Sequence, residues 1–210
     1  VYAFFGKLFF GGVSFLFCFV LASESGYFDS AAICKPVLFL WSLGVEEQFY
    51  ILWPIVIGIF WKRRTNFLTI VLFIALASFF YNIINVASQP TIIFYYPFSR
   101  FWELMIGGVL AYLTLHQPRC VSKFPNVQST LGLMLLLAGF YLLNDAKEFP
   151  GYWAMMPCIG AFLLISGQGS WVNRKILSNK LFVSIGLISY PLYLWHWPLL
   201  SFASISIYGS

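Results

Sequence analysis

Residues 62–84, KRRTNFLTIVLFIALASFFYNII, decide the fold class. Three cationic residues and a threonine are followed by 19 residues without a charge, 66–84. A run of about 20 apolar residues is long enough to cross a bilayer as a helix. Similar charge-free segments, separated by short polar linkers, recur along the whole chain of 210 residues. The sequence therefore predicts an all-α, polytopic integral membrane protein, because only helices close all their own backbone hydrogen bonds in lipid.

The composition supports this fold class. Hydrophobic residues make up 60% of the chain and charged residues 9%, and the mean hydropathy is +0.84. A soluble domain needs about a quarter of charged residues, so soluble, disordered, collagen-like and nucleic-acid-binding proteins are excluded. No CxxC or zinc-like spacing relates Cys18, Cys34, Cys120 and Cys158, so we predict neither a metal site nor a disulfide framework.

About seven transmembrane helices are predicted, at 8–22, 37–61, 66–84, 98–115, 127–143, 152–167 and 181–207. Alternate linkers carry basic residues without any Asp or Glu: Lys7; Lys62, Arg63 and Arg64; Arg119 and Lys123; Arg174, Lys175 and Lys180. Basic linkers face the cytoplasm. Seven spans in this orientation place the N-terminus inside and the C-terminus outside.

Glu46 and Glu47 lie near the middle of the second predicted helix, about 15 Å from its outer end. Inserting a carboxylate at this depth of the bilayer costs a free energy of at least about 2.5 kcal/mol. Such a residue therefore has an interaction partner or a functional role. Ser42 shares a helix stripe with Glu46, whereas Glu47 points about 100° away. Two interpretations stay open: one carboxylate pairs with Arg100 while the other reaches water, or they line a functional cavity.

Arg100 and Glu103 are neighbours on one face of the fourth predicted helix. Gly107 and Ala111 continue this face, and such small residues predict a close approach by another helix or a ligand. The pair is either an internal ion pair or a group in which Arg100 binds a phosphate or stabilises an oxyanion.

The last predicted helix contains Pro191 and Pro198, which predict a kink or local unwinding. Ser189, Tyr193 and His196 share one stripe of this helix. His196 could act as a base, but its place between two indoles favours a histidine held in a hydrogen-bond network. Soluble-type catalytic motifs such as GxSxG, HExxH and the Walker loop are absent from the sequence.

Residues 41–54, WSLGVEEQFYILWP, resemble the bacterial acyltransferase family 3. Members of this family are integral membrane enzymes that O-acetylate cell-surface glycans such as lipopolysaccharide O-antigen and peptidoglycan. Three further segments fit the resemblance: 25–29, SGYFD; 100–108, RFWELMIGG; and 188–198, ISYPLYLWHWP. The resemblance therefore extends over nearly the whole chain.

The resemblance implies a multi-pass protein of the bacterial inner membrane that takes an acyl group from cytoplasmic acetyl-CoA. The acceptor is a hydroxyl of a surface glycan or lipid-linked glycan, and no metal is required. It implies that Glu46 or Glu47 lines the transfer cavity and that Arg100 places the donor or neutralises a carboxylate. The implied substrate cavity also contains Trp41, Ser42, Glu103, Tyr193 and His196.

The family's catalytic histidine and its Arg-rich motif belong to helices that do not match any part of this chain. We therefore expect residues 1–210 to be a partial membrane domain that lacks about two upstream helices and its C-terminal end. Many family members carry an additional SGNH domain, which would lie outside this chain. Two rival interpretations remain: a transporter or flippase for a glycan or lipid, and a non-catalytic membrane scaffold.

Overall fold

The computed structural model describes residues 18–19, 38–62, 66–117, 121, 123–144 and 149–208. All regular secondary structure in these ranges is helical, as predicted. The predicted helix 8–22 falls almost entirely outside the described residues, as do Lys7, Arg63, Arg64 and Arg119.

Seven α-helices occupy the described residues: α1 (Leu40–Lys62), α2 (Phe67–Val86), α3 (Pro90–Tyr95), α4 (Pro97–His116), α5 (Pro125–Leu142), α6 (Met155–Ser166) and α7 (Lys180–Tyr208). A 3₁₀ turn (Tyr152–Ala154) precedes α6, and a π-helix (Val172–Leu177) follows it. Six predicted helices are confirmed, with ends within three residues of those expected. The short helix α3 was not predicted from the sequence, because its six residues lie in a charge-free linker. Pro90, Pro97 and Pro125 each open a helix, a position where proline's missing N–H costs nothing.

Two of these helices are long and apolar enough to cross a membrane, over Leu40–Phe60 and Phe67–Val86. Many large apolar side chains point away from the protein; Phe73, Phe140 and Leu187 are 73%, 85% and 78% exposed. Apolar surface on this scale fits contact with lipid. The seven-span count and the orientation stay predictions.

The chain divides into two compact units. The first combines Val1–Lys62, Thr91–Pro97 and Gly186–Ser210, and its described core contains a cluster of aromatic rings. In that core, the Trp41 ring lies 4.9 Å from the Phe94 ring and 5.3 Å from the Tyr95 ring, measured between centroids. Trp41 is 7% exposed. α3 therefore anchors the start of α1.

The second unit combines Arg63–Pro90 and Phe98–Ile185. In it, polar groups of α2 bind the first turn of α4. Ser78 donates to the Phe98 carbonyl at 2.6 Å and accepts from the Trp102 N–H at 3.1 Å. Asn82, which is fully buried, donates to the Ser99 carbonyl at 2.9 Å. These bonds join α2 to the first two turns of α4.

The closest helix packing in the second unit joins α5 to α6. A Cβ atom on Gly132 would lie 2.7 Å from the Gly160 carbonyl oxygen and 2.9 Å from the Leu164 nitrogen. Two small residues thus let the backbones touch. At Gly107 and Ala111 no described helix makes the predicted close approach, because a Cβ on Gly107 would meet nothing within 4 Å and Ala111 is exposed; a close approach by a ligand stays a prediction.

The prolines of α7 do not interrupt it. Pro191 and Pro198 both lie inside one helix of 29 residues, so the helix is not unwound at either proline, and a kink there stays a prediction. Each proline removes one backbone donor, and the segment nevertheless stays helical through both positions.

Candidate functional site

A cavity of about 300 Å³ lies between α1 and α7, within the first unit. It is lined by Ser42, Leu43, Glu46, Ser189, Tyr190 and Tyr193. Three residues that the sequence singles out, Ser42, Glu46 and Tyr193, thus meet in one place. Ser42 and Glu46 are one helical turn apart on α1, and Ser189 and Tyr193 have the same spacing on α7.

A chain of hydrogen bonds ties the two helices together at this cavity. The Tyr193 hydroxyl donates to the Phe39 carbonyl, and its oxygen lies 2.5 Å from Ser42 Oγ. Because the tyrosine has only one proton, Ser42 donates to Tyr193. Ser42 keeps its lone pairs as acceptors toward the cavity, and the Tyr193 ring is fixed in position.

Glu46 supplies the carboxylate of this cavity. Its side chain is exposed, and no ion pair joins it to a described cation. A carboxylate beside hydroxyl groups can accept a proton from a bound hydroxyl. Glu47 is half-buried and does not line the cavity. The structure thus distinguishes two neighbours that the sequence leaves equivalent.

His196 lies one turn beyond Tyr193 but does not line the cavity. Its Nδ1 atom is 2.8 Å from the Tyr193 carbonyl and 3.1 Å from the Leu192 carbonyl. A carbonyl only accepts, so Nδ1 carries the proton. The ring also packs edge-on against Phe39, with 5.3 Å between centroids. This geometry agrees with a histidine held in a hydrogen-bond network.

Trp41 likewise does not line the cavity, since it belongs to the aromatic core with Phe94 and Tyr95. Ser189 and Tyr190 do line it, although the sequence did not select them as site residues. The spacing between Ser189 and Tyr193 was the available signal for Ser189. Tyr190 lies in the segment 188–198 that fits the family resemblance, but no helical spacing singled it out.

Arg100 and Glu103 form an ion pair on α4, in the second unit. Arg100 Nη1 lies 3.5 Å from Glu103 Oε2, and the two side chains are 13% and 23% exposed. The guanidinium carbon also lies 5.7 Å from the Phe149 ring centroid. Glu103 Oε1 is buried and has no hydrogen-bond partner among the described residues. The ion pair predicted from the i, i+3 spacing is thus observed. One oxygen of the Glu103 carboxylate makes no hydrogen bond with the described residues.

Groups of three or more His, Cys, Asp or Glu side chains that could hold a metal ion are absent from the described residues. The side chains that line the cavity can supply proton transfer by Glu46 and hydrogen bonding by the hydroxyl groups of Ser42, Ser189, Tyr190 and Tyr193.

We predict that Tyr193→Phe lowers the stability of the full-length protein by about 1 kcal/mol, the value of a typical hydrogen bond. The change removes the bonds of the Tyr193 hydroxyl with Ser42 and with the Phe39 carbonyl, and leaves the longer contact of 3.5 Å between Ser42 Oγ and that carbonyl. The measurement is the midpoint of thermal denaturation in detergent.

Tyr190→Phe is the matched control, because Tyr190 lines the same cavity, is 57% exposed and makes no hydrogen bond among the described residues. Its midpoint should match that of the unchanged protein. Equal midpoints for both variants would mean that the Tyr193 hydroxyl does not hold α1 to α7.

Comparisons with known proteins place the chain in a family. The family model described as an acyltransferase domain, acyltransferase 3, matches residues 3–206. A Haemophilus influenzae protein named only "Uncharacterized protein" is 33% identical, over 73% of this chain and 67% of its own length. The peptidoglycan O-acetyltransferase OatA of Listeria monocytogenes is 30% identical, over 83% of this chain and 30% of its own.

A Staphylococcus aureus protein named "Putative O-acetyltransferase" is 28% identical, over 87% of this chain and 32% of its own length. The chain thus spans about a third of the staphylococcal and listerial relatives. No solved structure matches it. Because the family model covers nearly all of the chain, including the helices that form the cavity, this protein belongs to the acyltransferase 3 family.

Proposed function

We propose that the protein transfers an acyl group, an acetyl group in the simplest case, from cytoplasmic acyl-CoA to a hydroxyl of a cell-envelope glycan. The observation that carries the proposal is the cavity in which Glu46 lies with Ser42 and Tyr193, in a chain of the acyltransferase 3 family. Relatives named as O-acetyltransferases support the choice of acetyl.

In the proposed reaction the glycan hydroxyl binds in this cavity and Glu46 takes its proton. The hydroxyl oxygen attacks the thioester carbonyl, the carbon–sulfur bond breaks, and CoA leaves as a thiolate that is then protonated. General-base assistance of this kind is worth about 10² to 10⁴ in rate. Ser42 and Tyr193 orient the acceptor, because their hydroxyls are fixed by the bond between them.

Arg100 is proposed to place the acyl donor, and Glu103 to hold the guanidinium in position. The support is the observed ion pair together with the match of residues 100–108 to the family pattern. A planar guanidinium suits phosphate and carboxylate groups. The acceptor is proposed to be peptidoglycan, lipopolysaccharide or their lipid-linked precursors, and the location to be the bacterial inner membrane, crossed several times.

The experiment compares the envelope glycans of cells that carry the full-length gene with those of cells from which it is deleted. We expect acetate released by mild alkali from purified glycan in the first strain, and its loss in the second. Complementation with the gene should restore it. If the glycans of both strains carry the same acetate, or if deletion causes glycan precursor to accumulate unmodified inside the cell, transport or a scaffold role replaces acyl transfer.

A further inference from the structure

We propose that residues 171–180, between α6 and α7, form a binding site for a phosphate ester. Its cationic groups are Arg174 and Lys175 in the π-helix and Lys180 at the start of α7, and all three are exposed. The ligand is the phosphate of an anionic lipid headgroup or the nucleotide phosphate of acyl-CoA.

No described carboxylate neutralises the positive charge of this segment. Residues 149–210 contain no Asp or Glu. Among the described residues, no carboxylate forms an ion pair with Arg174, Lys175 or Lys180. Three cations within seven positions therefore remain available to an external anion, and guanidinium and ammonium groups are the usual phosphate ligands.

The backbone that carries these cations is fixed by partly buried hydrogen bonds of the Asn173 and Ser170 side chains. Asn173 Nδ2 donates to the carbonyls of Leu164 and Gly167, at 2.9 Å each. The Asn173 N–H donates to Ser170 Oγ at 3.2 Å, and Ser170 is fully buried. Arg174 and Lys175 follow Asn173 directly, so their Cα positions are set by this network rather than by a mobile linker.

Two more bonds fix the ends of the segment. The Trp171 N–H donates to Asn126 Oδ1 on α5 at 2.9 Å, and Ser178 Oγ donates to the Asn173 carbonyl at 2.8 Å. A charged stretch that served only to mark the inner side of a membrane would need no such support.

The local geometry also points to a site. Val172–Leu177 is a π-helix, a rare conformation that is frequent at functional positions. Trp171 precedes it and is 61% exposed. Because an exposed indole beside cations is typical of the membrane–water interface, the segment suits a phosphate presented there.

The test uses full-length protein in nanodiscs and separates the two sources of phosphate. One arm measures binding of CoA and of dephospho-CoA, which lacks the 3′-phosphate, in phosphatidylcholine nanodiscs. The other compares retention of phosphatidylglycerol and phosphatidylcholine by native mass spectrometry. The coenzyme arm rests on the proposed function, whereas the lipid arm does not. Neither arm depends on acetyl transfer, so the binding test can be interpreted even if the proposed function is wrong.

The variants are Arg174→Gln, Lys175→Gln and their combination, with Lys123→Gln as the matched control. Lys123 is an exposed cation of the same unit, and its ammonium group lies over the Phe124 ring. Loss of one charge-assisted hydrogen bond corresponds to about tenfold weaker binding, so we expect at least that loss for the double variant in one arm. Lys123→Gln should bind like the unchanged protein.

Asn173→Ala provides a second readout. It keeps every charge but removes the side-chain hydrogen bonds that hold the backbone of this segment in place. We expect it to weaken binding several-fold. Loss in the CoA arm identifies the acyl donor as the source, and loss in the phosphatidylglycerol arm identifies the lipid. Unchanged binding of both probes by the Arg174 and Lys175 double variant would overturn the proposal. An equal loss of binding in Lys123→Gln would also overturn the proposal, since the overall positive charge of the protein surface would then explain the binding.

Discussion

Glu46→Gln should reduce acetyl transfer by the full-length protein by about 10² to 10⁴, the contribution of a general base. The substitution keeps the size of the side chain but removes its ability to take a proton in the cavity that also contains Ser42 and Tyr193. Membrane levels of the variant should match those of the unchanged protein, because Glu46 makes no ion pair with a described residue. The measurement is alkali-labile acetate per glycan, normalised to protein by immunoblot.

Glu47→Gln is the matched control for this result. It removes the same charge one residue further along α1, but Glu47 does not line the cavity, so its effect should be much smaller. Full activity of Glu46→Gln, or an equal loss in both variants, would contradict the assignment of Glu46 as the base and leave only a general need for charge in α1.

Gly132→Ala should destabilise the full-length protein by about 1 to 3 kcal/mol, the usual cost of overpacking. The new Cβ would lie 2.7 Å from the Gly160 carbonyl oxygen and 2.9 Å from the Leu164 nitrogen. Both contacts are with backbone, which cannot turn aside as a flexible side chain could. α5 and α6 must therefore separate. The expected result is a lower midpoint of thermal denaturation in detergent.

Gly107→Ala should have the opposite sign. Its Cβ would meet nothing within 4 Å among the described residues, and alanine is favoured over glycine inside a helix by about 0.5 to 1 kcal/mol. A fall in the midpoint for Gly107→Ala, or no fall for Gly132→Ala, would show that the tight crossing lies elsewhere.

The long helices could be predicted from the sequence because charge-free length is a strong local signal. The ends of α2 differ from the predicted range by one and two residues. α3 carries no such signal, since the aromatic contacts of Trp41 with Phe94 and Tyr95 stabilise it and these join residues more than 50 positions apart. Local sequence patterns predict the long helices, whereas contacts between residues far apart in the sequence determine whether a short helix such as α3 forms.

The site was predictable only in part, for a similar reason. A carboxylate inside the membrane is costly, and this cost indicated that Glu46 is a candidate site residue. The same argument applied equally to Glu47. What separates them is α7, which packs beside α1 and brings Tyr193 to Ser42. No spacing along one helix reveals that contact. A small residue permits a close approach without requiring one: no described helix approaches Gly107, whereas Gly132 lies at a close contact between α5 and α6.

The most direct test of the account is acetyl transfer by purified full-length protein in sealed proteoliposomes, with glycan acceptor inside and acetyl-CoA outside. The donor is labelled with ¹⁴C in the acetyl group and with ³H in the coenzyme. We predict that ¹⁴C appears on the internal glycan as an alkali-labile ester while ³H remains outside, and that Glu46→Gln abolishes the ¹⁴C ester. Movement of unlabelled glycan across the membrane, with no ester formed, would contradict the account and identify a transporter.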